Sequence, residues 1–199
     1  MNFKGSRCLL ISFLFFVNLI NSQIIPDSIK KKTFNELREG FNKLDEGDTS
    51  VLKVYARAYL TKGKKEKDTL NIAKGYHYYY INKKSNIGQR YLDSIINLTE
   101  DKNYEYYPLI ALNLKSRFYF KEHDYKNSLK YLFKLKEINE KQYYKEDVDF
   151  QINHTIGLIK SRLGDYDEAL KIFLRNEKSV SNKENYLATM FAIADSYRF

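Results

Sequence analysis

Two short segments constrain the fold of this chain more than anything else in it. Gly164-Asp165-Tyr166-Asp167-Glu168-Ala169-Leu170 reads as the end of one helix and the start of the next, and His123-Asp124-Tyr125-Lys126-Asn127-Ser128-Leu129 repeats its layout. Glycine ends an amphipathic helix because a left-handed residue there meets no Cβ clash. The aspartate that follows can cap the next helix by accepting a backbone N–H. The two copies lie 165 minus 124, or 41, residues apart. Such recurrence predicts helical hairpins stacked in a row, since one hairpin cannot bury its apolar face alone.

Around Gly164 the residues needed for close helix packing fall at regular spacing. Gly157 and Ala169 are the small residues of the two helices, Tyr166 opens the second helix and Phe173 supplies an apolar plug. Over residues 150 to 183 the chain resembles the tetratricopeptide family. The period of 41 exceeds that family's usual 34, and the polar stretch over residues 140 to 146 takes up the surplus. Residues 109 to 142 carry a degenerate copy, with Ser116, Ser128 and Leu132 at the packing positions and His123 in place of the glycine. Residues 69 to 100 keep a shadow of it, with Gly88 as the small residue and Tyr91 and Leu92 as its partners. The resemblance implies an all-α fold, a right-handed superhelix of antiparallel hairpins over residues 27 to 199.

The amino end reads as a separate unit. Lys4 and Arg7 precede an apolar run over residues 8 to 20, followed by Asn21-Ser22-Gln23, the order of a secretory signal cleaved after Ser22. The run falls short of the ~20 apolar residues that span a bilayer, and an uncleaved inner-membrane anchor is the other reading. Both readings export the rest of the chain to the periplasm or cell envelope. Cleavage removes Cys8, the only cysteine, and with it any disulfide or thiolate chemistry. At the other end, Met190, Ile193, Ala194 and Tyr197 repeat the spacing of a hairpin's first helix, predicting an uncapped apolar face open to association.

With only two prolines and eight glycines in the whole chain, helices can run almost unbroken. Apolar residues at three-and-four spacing predict them near residues 30 to 45, 50 to 63, 68 to 81, 86 to 98, 104 to 121, 125 to 139, 144 to 163, 166 to 176 and 183 to 199. Asp48 and Asp68 are expected caps. The formal charge of +9 falls to +7 without Lys4 and Arg7. Its lysines alternate with acids, as around Lys62, Lys64, Glu66 and Asp68, which marks solvated helix faces rather than a nucleic-acid surface.

No catalytic or metal constellation stands out. His77, His123 and His154 lack neighbouring ligands at metal spacing, and no phosphate loop or nucleophile motif is present. Asn97 and Asn153 each begin an Asn-x-Thr string, read as chance. Neither an enzyme nor a cofactor is expected. In the family resembled, the first helix of each hairpin lines the concave side. That mapping places His77, Tyr80, Asn113, Arg117, Lys121, His154, Ser161 and Arg162 in a groove, electropositive through Arg117, Lys121 and Arg162 and suited to an acidic peptide or terminal carboxylate. The leader and repeats together are similar in layout to the sensor part of bacterial envelope regulators that end in an AraC-type DNA-binding domain. This sequence shows no helix-turn-helix, so partner binding or sensing carries over and direct nucleic-acid binding does not. A surface protein that binds carbohydrate or another nutrient is the second reading.

Overall fold

The structure is a computed structural model that describes residues 25–44, 48–82, 86–102, 104, 106–142, 146–177 and 183–196. Among these it contains ten helices and no strand: α1 (Asp27–Lys30), α2 (Phe34–Asn42), α3 (Thr49–Glu66), α4 (Thr69–Asn82), α5 (Asn86–Thr99), α6 (Leu109–Lys121), α7 (Tyr125–Gln142), α8 (Glu146–Arg162), α9 (Tyr166–Glu177) and α10 (Lys183–Ser196). The fold is all-α. The chain divides into two compact units, one up to Asn82 and one from Lys83 onward.

Three hairpins share one turn. Helices α3, α6 and α8 end in Lys67, His123 and Gly164, all in the left-handed region with φ of 55°, 59° and 82°. The next residue is always aspartate. Its N–H donates to the carbonyl five residues back, from Asp68 to Gly63 at 3.0 Å, Asp124 to Tyr119 at 2.9 Å and Asp165 to Lys160 at 3.0 Å. These bonds satisfy carbonyls that the helix end leaves without a partner. The Asp68 carboxylate then accepts from the backbone N–H of Asn71 at 3.0 Å and from its side chain at 2.7 Å. Asp124 does the same for Asn127 at 3.1 and 2.6 Å. Each cap starts the second helix of its hairpin.

In the second unit the paired helices meet at small residues in a constant register. Ser116, Ser128 and Leu132 of α6 and α7 recur 41 residues later as Gly157, Ala169 and Phe173 of α8 and α9. Ser116, Ser128 and Ala169 are wholly buried, and Leu132 and Phe173 nearly so. A Cβ built on Gly157 would lie 2.5 Å from the Phe173 ring. In the other hairpin Ser128 donates to the Ser116 carbonyl at 3.0 Å, so a hydrogen bond fills the space that atom size leaves. The first unit solves the same problem with other residues. Gly75 of α4 packs against the Leu60 backbone of α3, its missing Cβ only 2.8 Å from the Leu60 Cα. Its core holds Tyr78 stacked on Phe41 at 4.2 Å and edge-on to Tyr59 at 5.0 Å.

Several expectations need correction. The upstream hairpin is α3 with α4, turning at Lys67-Asp68, whereas the expected copy over residues 69 to 100 straddles the boundary between the units. The helix expected from residue 104 starts at Leu109, with Pro108, which has no N–H to donate, as its N-cap. The helix expected over residues 30 to 45 is split. Thr33 starts α2 with a capping box, accepting from the Glu36 N–H at 3.2 Å while the Glu36 carboxylate accepts from the Thr33 N–H at 2.7 Å. Asp48 precedes α3 but makes no side-chain cap. On α10, Ile193 is not exposed: it packs against Ala169 and Phe173. Met190 and Ala194 are exposed as expected, and the other large apolar side chains exposed there are Tyr186, Leu187 and Phe191. Residues 1 to 22 and Tyr197 lie outside the described residues.

Left-handed geometry costs an L-residue roughly 1 kcal/mol that glycine is spared. His123→Gly and Lys67→Gly should therefore each raise the urea midpoint, by about 1 kcal/mol of stability, and Gly164→Ala should lower it by a similar amount. Three unchanged midpoints would mean that these turns do not form.

Candidate functional site

The first helices of the second unit, α6 and α8, carry six of the eight expected groove residues. Asn113 of α6 donates from Nδ2 to Oε1 of Gln151 on α8 at 2.8 Å, which ties these two faces together. Arg117 and Lys121, one and two turns further along α6, are exposed, as is Arg162 at the end of α8. None of the three makes an ion pair among the described residues, so their charge is available to a partner. Ser161 is half-buried.

His154 sits deeper. Its ring lies nearly parallel to Phe150 at 5.7 Å and tilted against Phe173 at 5.6 Å. Its Nδ1 is buried without a hydrogen-bond partner, and burial holds its pKa below the ordinary histidine value. A cleft of about 370 Å³ opens beside it, with Leu158 on the same wall and Ala188, Phe191, Ala192, Ala194 and Asp195 of α10 on the other. The 41-residue spacing links Asn113, His154 and Asp195 as equivalent positions on three successive alternate helices. The arrangement is a largely apolar slot with a neutral imidazole in one wall and the Asp195 carboxylate in the other, near exposed cations that make no ion pair among the described residues.

His77 and Tyr80 do not belong to this face. Both are on α4, which is the second helix of its hairpin, and in the other unit. Tyr80 is buried, and the His77 ring stacks against it at 6.5 Å. Burial lowers the His77 pKa to about 4, so the ring is neutral at pH 7 and adds nothing to an electropositive groove. Among the repeat residues, Gly157, Ala169 and Phe173 are in the α8–α9 interface, Tyr166 is half-buried at the start of α9, and Gly164 has open space around it.

One charged group escaped sequence reasoning. Lys115 of α6 is 2% exposed, with its ammonium paired to Asp93 of α5 and 4.9 Å above the Tyr131 ring of α7. Burial disfavours its charge, but Asp93 and Tyr131 outweigh that and leave its pKa above the ordinary lysine value. No group of three acidic, histidine or cysteine side chains suited to a metal occurs among the described residues.

Family models, curated proteins and solved structures give no match to this chain.

Proposed function

We propose that this chain is a tetratricopeptide-type repeat protein that is exported and binds a protein or peptide partner, as a sensor or interaction module without catalysis. The observation that carries this reading is the recurrence at 41 residues of the turn, the small-residue contact and the plug in α6–α7 and α8–α9. Hairpins that repeat in this way stack into a right-handed superhelix whose first helices line a concave surface. On that surface Arg117, Lys121 and Arg162 attract carboxylates, while the slot beside His154 takes an apolar side chain. The layout of the sequence is that of the sensor segment of an envelope transcriptional regulator, and residues 1 to 22 serve as its export signal. Among the described residues no helix is long and apolar enough to cross a membrane.

A fluorescent peptide ending in several glutamates and a free carboxylate should bind the intact second unit of the full chain. Its affinity should fall with salt and drop at least tenfold, about 1.4 kcal/mol, in Arg117→Glu/Arg162→Glu. Equal affinity for a lysine-rich peptide of the same length would contradict the groove assignment.

Expressed in a secreting host, the mature protein should begin at Gln23 by amino-terminal sequencing. A soluble cytoplasmic product that keeps Met1 would contradict export.

A further inference from the structure

Helices α5 and α7 border a second cleft, of about 520 Å³, that shares no residue with the one beside His154. Its volume lies within the ~300–1,000 Å³ of small-molecule sites. Helix α5 contributes Asp93, Ile96 and Asn97, one turn of a single face, and α7 contributes Lys130, Tyr131, Phe133, Lys134 and Glu137.

Three features of this cleft define what it can hold. Phe133 stands 57% exposed at its edge and stacks on no other ring among the described residues, so an apolar ring face is open to a ligand. The charges are largely neutralised within the protein. Asp93 is paired with the buried Lys115, Lys134 with Glu100, and Glu137 with Lys141 at 2.7 Å. Of the charged residues lining the cleft, only Lys130 is outside an ion pair among the described residues, its ammonium 5.8 Å from the Tyr131 ring. The lining thus holds two carboxylates and two ammonium groups, which leaves no surplus of either sign to select an ion. Finally, the hydrogen-bonding capacity is not used up. A carboxylate has about four lone-pair sites, and the Asn97 amide makes no hydrogen bond among the described residues.

An open aromatic face beside fixed donors and acceptors of balanced charge matches a ligand with one C–H face and a rim of hydroxyls. We infer that the α5–α7 cleft is a saccharide subsite that takes a neutral pyranose ring. The sugar's C–H face lies on Phe133, whose ring face is electron-rich. Its hydroxyls donate to Asp93 and Glu137 and accept from Asn97 and Lys130. Lys115 is a positioning residue here: it is too buried to reach a ligand, and it fixes the Asp93 carboxylate and the Tyr131 ring from below.

The test is a ¹H–¹⁵N titration of the full chain with maltose, cellobiose and diacetylchitobiose, and with glucuronate as a charged comparison. At least one neutral disaccharide should shift amides over residues 93 to 97 and 130 to 137, with a Kd on the order of 1 mM. Phe133→Ala and Asn97→Ala, both at exposed positions, should each weaken this about tenfold or more. Phe191→Ala, at the exposed phenylalanine of α10, should leave it unchanged. Absence of shifts with all three disaccharides, shifts that survive Phe133→Ala, or tighter binding of glucuronate would each overturn the assignment. None of these outcomes depends on whether the α6–α8 face binds a peptide.

Discussion

Close approach of paired helices at small residues is the constraint on which the rest of this structure depends. Two helices can come near enough to exclude water only where one offers no bulky side chain. In α8–α9 the opening is Gly157, filled by Phe173; in α6–α7 it is Ser116 against Ser128; in α3–α4 it is Gly75 against Leu60. The left-handed turn before each second helix sets the register, because it fixes which residue faces which. Once those contacts are fixed, Arg117 and Lys121 of α6 and Arg162 of α8 are left exposed, and with the less exposed Asn113, His154 and Ser161 they make up the candidate groove.

Electrostatics separates the two candidate surfaces of the second unit. On the proposed α6–α8 groove Arg117, Lys121 and Arg162 make no ion pair among the described residues, and attraction of an acidic partner to such cations would weaken with salt. The α5–α7 cleft pairs nearly all its charges internally, beginning with Lys115. A buried ammonium is costly unless paired and hydrogen-bonded, and Asp93 with Tyr131 meets that need. The same pairing fixes the position of the Asp93 carboxylate at the cleft. The two proposals thus rest on different chemistry, charge on one surface and hydrogen bonds with ring stacking on the other.

Much of this was legible in sequence because the signals are local. The turns at His123-Asp124 and Gly164-Asp165 could be read because the left-handed residue, the cap and the small residue follow one another within a few positions. At Lys67-Asp68 the cap and the two flanking helices were also readable, but not that they form one hairpin, since lysine carries no turn signature and the pair packs through Gly63 and Gly75 in place of the usual positions. That one miss moved His77 and Tyr80 onto the wrong helix. The Thr33–Glu36 capping box and Pro108 were readable signals whose consequences for the helix starts are plain in the structure. Other features are not local. Lys115 looks like any solvated lysine, and its partner Asp93 lies on the preceding helix. The Asn113–Gln151 contact joins residues on alternate helices, and the burial of Ile193 depends on α9 folding beneath it. Sequence periodicity reports which face of a helix is apolar, not which neighbour covers it.

The hairpin register places Phe173 against Gly157, a contact that a double-mutant cycle measures. Gly157→Ala should overpack against the ring, against a helix-propensity gain of about 1 kcal/mol, and Phe173→Leu should make room for the added methyl. The account predicts that the double variant is more stable than the two single changes would give by addition, with a coupling of about 1 kcal/mol or more in urea unfolding. Additivity within ~0.5 kcal/mol would show that the two residues do not meet, and the shared packing of the hairpins would be contradicted.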